Sequence, residues 1–120
     1  MSLSGNPPPG VPGVVGSERF RLARLAREAA LRVPGVAGTD TGAMGLFVTV
    51  GEGQRLEGVI CAATRDDGYE ISLRLVCELV PLPSLGEQVK TAVTRSAALA
   101  EIALESVSVT VAAVTQSDDQ

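Results

Sequence analysis

Tyr69–Val80 reads YEISLRLVCELV. Ile71, Leu73, Leu75, Cys77 and Leu79 alternate with Glu70, Ser72, Arg74, Val76 and Glu78. Strict alternation puts one set of side chains in a core and leaves the other wet, so this stretch is a strand of a one-sided sheet. Pro81 and Pro83 terminate it. Upstream, Asp66-Asp67-Gly68 is a hairpin signal, with Asp67-Gly68 as a two-residue loop and Leu56–Thr64 as the paired strand. In that register Cys61 faces Arg74 and Cys77 faces Gly58, about three positions apart, which is too far for a disulfide. Two buried free thiols are therefore expected. Further upstream, Leu46–Val50 reads as a short strand and Gly51-Glu52-Gly53 as a turn. The glycine-rich residues 34–45 read as a loop.

Two helices flank these strands. Leu22, Leu25, Ala26, Ala29 and Val33 keep the helical period, Ser17 is a suitable N-cap with Glu18 in the first turn, and Pro34 ends the helix near Arg32 or Val33. The second helix opens on a capping box, Ser84 with Glu87. It buries Leu85, Val89, Ala92, Val93 and Ala100 and ends between Ala97 and Ile102. Leu104–Val114 then alternates Val107, Val109 and Val111 with Ser108, Thr110 and Ala112. The expected fold class is α+β, a two-layer sandwich. Its sheet is small and mixed, with three to four strands, two helices lie on one face, and the order is α-β-β-β-α-β. Residues 1–16 carry four Pro and four Gly and read as a disordered tail. Residues 17–115 form the single domain, and residues 116–120 read as a frayed end.

The chain has 120 residues, and 45% are apolar while only 2% are aromatic, so the core must be aliphatic. It contains no His, which removes imidazole chemistry, the usual Cys/His zinc sites and Ser-His-Asp triads. The net charge is −4 and the pI about 4.7, which argues against general nucleic-acid affinity. No apolar run approaches the length of a membrane span, and no signal peptide is visible. No cofactor, metal or catalytic residue is expected. Asp66, Asp67 and Glu70 lack calcium-loop spacing and read as a solubilising turn. Gly42-Ala43-Met44-Gly45 matches the spacing of a nucleic-acid-clamping GxxG, but it precedes a strand and reads as a loop.

Three blocks carry a family resemblance: Leu22–Gly38 (LARLAREAALRVPGVAG), Leu56–Gly58 running into Tyr69–Pro83, and Leu85–Val93 followed by Val107–Val111. Together they resemble the alkaline shock protein 23 (envelope stress response) family. The Val33-Pro34-Gly35-Val36 element at the end of an Ala-rich helix is the most specific part, and the match covers roughly residues 18–114. The resemblance implies a non-enzymatic cytoplasmic protein, peripheral to the cell membrane through protein contacts and self-associating, with no catalytic residues. Many members have a short strand before the first helix. Here only Val14-Val15 could supply it, and its absence would leave one sheet edge open.

The charge is uneven, with +3 over residues 1–32 and −7 over the remainder. Arg19, Arg21, Arg24, Arg27 and Arg32 form a basic helix face that could steer an acidic partner, an anionic surface or another copy. The same residues would otherwise be a solvated face, with Glu28 pairing Arg24 and Arg32. The function expected is an interaction or scaffold protein that binds a protein partner or itself through this face and the strand of Val107, Val109 and Val111. No small-molecule substrate is expected, and any membrane association would be indirect. The alternative is a nucleic-acid-binding module built on the arginine helix, whose binding would collapse with salt.

Overall fold

The computed structural model describes residues 14–79 and 82–115. Within them the order is α1 (Val14–Leu31), β1 (Val36–Thr39), β2 (Val48–Gly51), β3 (Gln54–Glu57), β4 (Val59–Ala63), β5 (Tyr69–Glu78), α2 (Leu82–Leu99) and β6 (Leu104–Thr115). This is the α+β two-layer fold expected, with more strands than expected.

β5 is the hub of the main sheet. β6 runs parallel to it along its whole length, from Tyr69↔Leu104 to Glu78↔Thr115. On its other side two short strands lie end to end, β4 against Tyr69–Leu73 and β1 against Leu75–Cys77, both antiparallel. The alternation of β5 puts Ile71, Leu73, Leu75 and Cys77 in the core at 1% exposure or less. The helices cover that face. Leu22, Ala23, Ala26, Ala29 and Ala30 of α1 and Leu85, Val89, Val93 and Ala97 of α2 complete an aliphatic core. Alanines at the contact positions let α1 lie close to the sheet, which is how a chain nearly free of aromatics closes its core.

Several details differ from expectation. Val36–Thr39 is a strand rather than loop, because its backbone pairs with Leu75–Cys77. The stretch 56–64 is broken at Gly58, whose φ of +80° turns the chain from one ladder to the next. β3 pairs with β2 in a separate two-stranded sheet, closed by Glu52 and Gly53, both at positive φ as a type I′ turn requires. The β4–β5 loop has three residues, Arg65–Asp67, with Asp67 at φ +67°. Thr64 N–H bonds the Gly68 carbonyl, and the Thr64 hydroxyl accepts from the Asp66 and Gly68 N–H groups. The register therefore shifts by three, and Cys61 pairs with Ile71 and Cys77 with Val36. Both cysteines are buried and free. Six positions of β5 separate Ile71 from Cys77, roughly 20 Å of extended chain.

Both helices start earlier than their capping residues suggested. α1 begins at Val14, so Val14–Gly16 belong to the helix and not to a tail or a preceding strand, and Ser17 is internal. α2 begins at Leu82, so Ser84 is internal too. Proline is tolerated in a first helical turn because the N–H it lacks there has no intrahelical partner, so Pro83 does not stop the helix. The tail at 1–13, Pro81 and the end at 116–120 lie outside the described residues.

Candidate interaction surface

The arginines of α1 divide into two groups. Arg19 Nη1 donates to the Cys61 carbonyl at 3.0 Å. Arg27 Nε donates to the Glu57 carbonyl at 2.8 Å, and its Nη2 reaches Thr39 Oγ1 at 3.4 Å. Arg24 lies 5.8 Å over the Phe20 ring. Arg19, Arg21 and Arg32 are exposed, and of these Arg21 and Arg32 make no polar contact among the described residues. Among the described residues the ion pairs are Arg74–Asp40 and Arg55–Glu57, so the helix pairs expected of Glu28 with Arg24 and Arg32 do not form. The contact with Phe20 draws Arg24 elsewhere. The five arginines are thus not equivalent, since Arg19 and Arg27 are engaged with the outer side of β3 and β4.

That outer side is closed along most of its length. The buried Thr49 hydroxyl donates to the Val59 carbonyl at 2.7 Å, and Gly58 N–H donates to the Phe47 carbonyl at 2.9 Å. Gly51 brings the β2–β3 hairpin flush against Phe20, where a Cβ would come within 2.8 Å of the ring. Beneath this seal Cys61 is 2% exposed, and burial pushes its thiol up to about 11 against the weaker opposing pull of Arg19. Burial also pushes the Cys77 thiol up. The Tyr69 hydroxyl donates to Glu18 Oε1 at 2.9 Å. Burial, then the bond to Glu18 and its negative charge, raise the Tyr69 pKa.

The opposite edge is built differently. Among the described residues β6 pairs only with β5. Arg74 donates its N–H to the Gly58 carbonyl and accepts from Asp40 N–H, so the even-numbered residues of β5 turn their main-chain groups toward β4 and β1. Alternation turns those of Ile71, Leu73 and Leu75 toward β6, where Ser108 and Thr110 answer them. The N–H and C=O groups of Val107, Val109 and Val111 are left on the open side. Their side chains are half-buried against the core, so what these valines present at the edge is backbone.

The stretch between Ser106 and Val111 is regular, and the pairing with β5 shifts register on either side of it. β6 contains no Lys, Arg or Pro, and Glu105 is its one charged residue. The Thr64 hydroxyl donates to Glu105 Oε2 at 2.7 Å. A groove of about 250 Å³ runs beside the edge, lined by Lys90 and Thr94 of α2 and by Leu104, Glu105, Ser106 and Val107 of β6. Sequence patterning placed a strand here, but which backbone groups stay free depends on the whole sheet order.

No family model matches the chain, and no curated protein matches it. Among solved structures it is similar to one described as "MamM CTD H264E", with 17% identity over 86% of this chain and 100% of that one and a TM-score of 0.48. A likeness that slight carries nothing about function.

Proposed function

We propose that this chain is a non-enzymatic interaction protein that takes up a strand of a protein partner along the open edge of β6. The observation that supports this is the row of main-chain groups on Val107, Val109 and Val111 that have no partner among the described residues, on a strand without the lysines and prolines with which edges are usually blunted. Strand addition uses such a row for affinity and the flanking groove for specificity. The resemblance to the alkaline shock protein 23 family points to the same class, a cytoplasmic envelope-stress scaffold held near the membrane by a protein partner. Arg21 and Arg32 remain available to steer an acidic partner.

The test is a cross-linking pull-down from the native cell with two variants. Val109→Pro removes an outward N–H while leaving the ladder to β5 intact, and it should lose the partners of the wild type. Arg21→Glu with Arg32→Glu should slow capture and leave its identity unchanged. Partners retained by Val109→Pro, with its fold verified by circular dichroism, overturn the proposal.

A further inference from the structure

The open edge of β6 is complementary to itself. Around Val109 the chain reads Ser106-Val107-Ser108-Val109-Thr110-Val111-Ala112, with small polar residues and alanine alternating with valines symmetrically about the centre. We infer that the strand taken up by β6 is β6 of a second copy, antiparallel, with a two-fold axis through Val109. This rests on the strand-addition reading and names its partner.

Three observations carry it. First, the residues whose N–H and C=O groups are free are the ones such an axis pairs: Val109 with Val109 of the second copy, and Val107 with its Val111, both ways round. Each is a hydrogen-bonded antiparallel pair, so about six main-chain bonds form, and no bond to β5 is given up. A two-fold contact of this kind is isologous, and it closes the edge on both copies at once.

Second, the faces match. In this register valines meet valines on the helix-covered side, and Ser108 meets Thr110 on the other. Val111 of the second copy comes opposite Val107, beside the groove lined by Lys90, Thr94 and Leu104. Shifting the register by one residue would turn the valines of one copy to the polar face.

Third, no like charges face each other. No residue of the paired stretch is charged, and Glu105, the one charged residue of β6, lies beyond it. The pairing is also confined to the regular stretch between the two register shifts, where the edge is straight enough to accept a strand.

Two measurements test this. Light scattering should give a dimer mass that reverts to the monomer in Val109→Pro. In addition, Ser108→Cys and Thr110→Cys proteins are mixed in equal amounts and oxidised with oxidised glutathione, which takes up the two electrons as each thiol pair forms a disulfide. Positions 108 and 110 across the axis form a non-hydrogen-bonded pair with Cα atoms about 4.5 Å apart, inside disulfide range. Two copies of position 108 sit diagonally, about 7–8 Å apart, outside that range. The mixed disulfide should exceed either homodisulfide at least about tenfold, and the buried Cys61 and Cys77 should take no part.

A monomer at every concentration, with Val109→Pro still losing its cellular partners, overturns the self-pairing and leaves strand addition standing. A dimer indifferent to Val109→Pro, or one with no preference for the mixed disulfide, overturns the two-fold at Val109. If Val109→Pro also keeps every cellular partner, strand addition falls with it.

Discussion

The two long edges of the sheet solve one problem in opposite ways. On the β4 side the outward carbonyl of Val59 receives the Thr49 hydroxyl and that of Cys61 receives Arg19, while just beyond the strand Arg27 holds the Glu57 carbonyl. A hairpin is turned against the same side. On the β6 side the equivalent groups of Val107, Val109 and Val111 have no described partner. A chain that covers the β4 stretch of one edge and, among the described residues, leaves the other uncovered has a surface where pairing is permitted. The difference also shows what α1 is for. Its arginines look like a binding face in the sequence, yet two of them are sealing groups.

The contrast can be broken from the closed side. Gly58→Val should have the largest effect. Its φ of +80° disfavours any side chain, and a Cβ there would collide with Thr39 and approach the Arg74 carbonyl at 3.0 Å. We expect a loss of about 3–4 kcal/mol in urea unfolding, the left-handed backbone and the overpacking each contributing. Thr49→Val keeps the shape but leaves the Val59 carbonyl buried without its donor, which should cost about 2 kcal/mol. The same substitution should leave dimer mass unchanged if pairing uses β6.

The closed edge should also be the alkali-sensitive one. The Cys61 thiol has a folded pKa of about 11 against an ordinary 9.0. Between those values the unfolded chain has released the proton and the folded chain still holds it. Stability is therefore complete below about pH 9 and falls as pH rises toward 11. Cys61 contributes at most about 1.4 kcal/mol per pH unit to that fall, the limit for one proton, and the raised Cys77 and Tyr69 add to it in the same direction. Thermal melts from pH 8 to 11 should show this slope, and a Cys61→Ala protein should show a shallower one. The smallest effect separates the two kinds of arginine. Arg27→Met should cost about 1 kcal/mol because it frees the Glu57 carbonyl, whereas Arg21→Glu should change stability by less than about 0.5 kcal/mol. Equal costs in the two would mean that Arg27 seals nothing.

The α+β class, the alternation of β5 and both buried helix faces were legible because side-chain periodicity encodes them. What stayed hidden was settled by the backbone. Val36–Thr39 is a strand because β5 has free groups beside it, and its own residues, with Gly38 among them, carry no strand pattern. The β4–β5 loop gained a residue because Asp67 takes the left-handed conformation that the sequence pattern assigned to a tighter Asp-Gly turn. Ser17 and Ser84 resemble caps, but the helices start earlier, at Val14 and Leu82, and Pro83 falls in a first turn, where a proline is tolerated. The sealing roles of Arg19 and Arg27 were invisible for a simpler reason. Their acceptors are main-chain carbonyls, which every residue has, so only the fold shows which ones they meet.

The parallel pairing of β5 with β6 has a consequence for synthesis. Parallel strands need a crossover, and here it is the whole of α2, so β6 is made after everything it packs on. At roughly 5–20 residues per second a ribosome takes a few seconds to pass from Glu78 to Leu104. For that interval the hydrophobic strand at the centre of the sheet exists with its later neighbour still unmade. A nascent chain would be most open to mispairing then, and so would any product that stops short of residue 104.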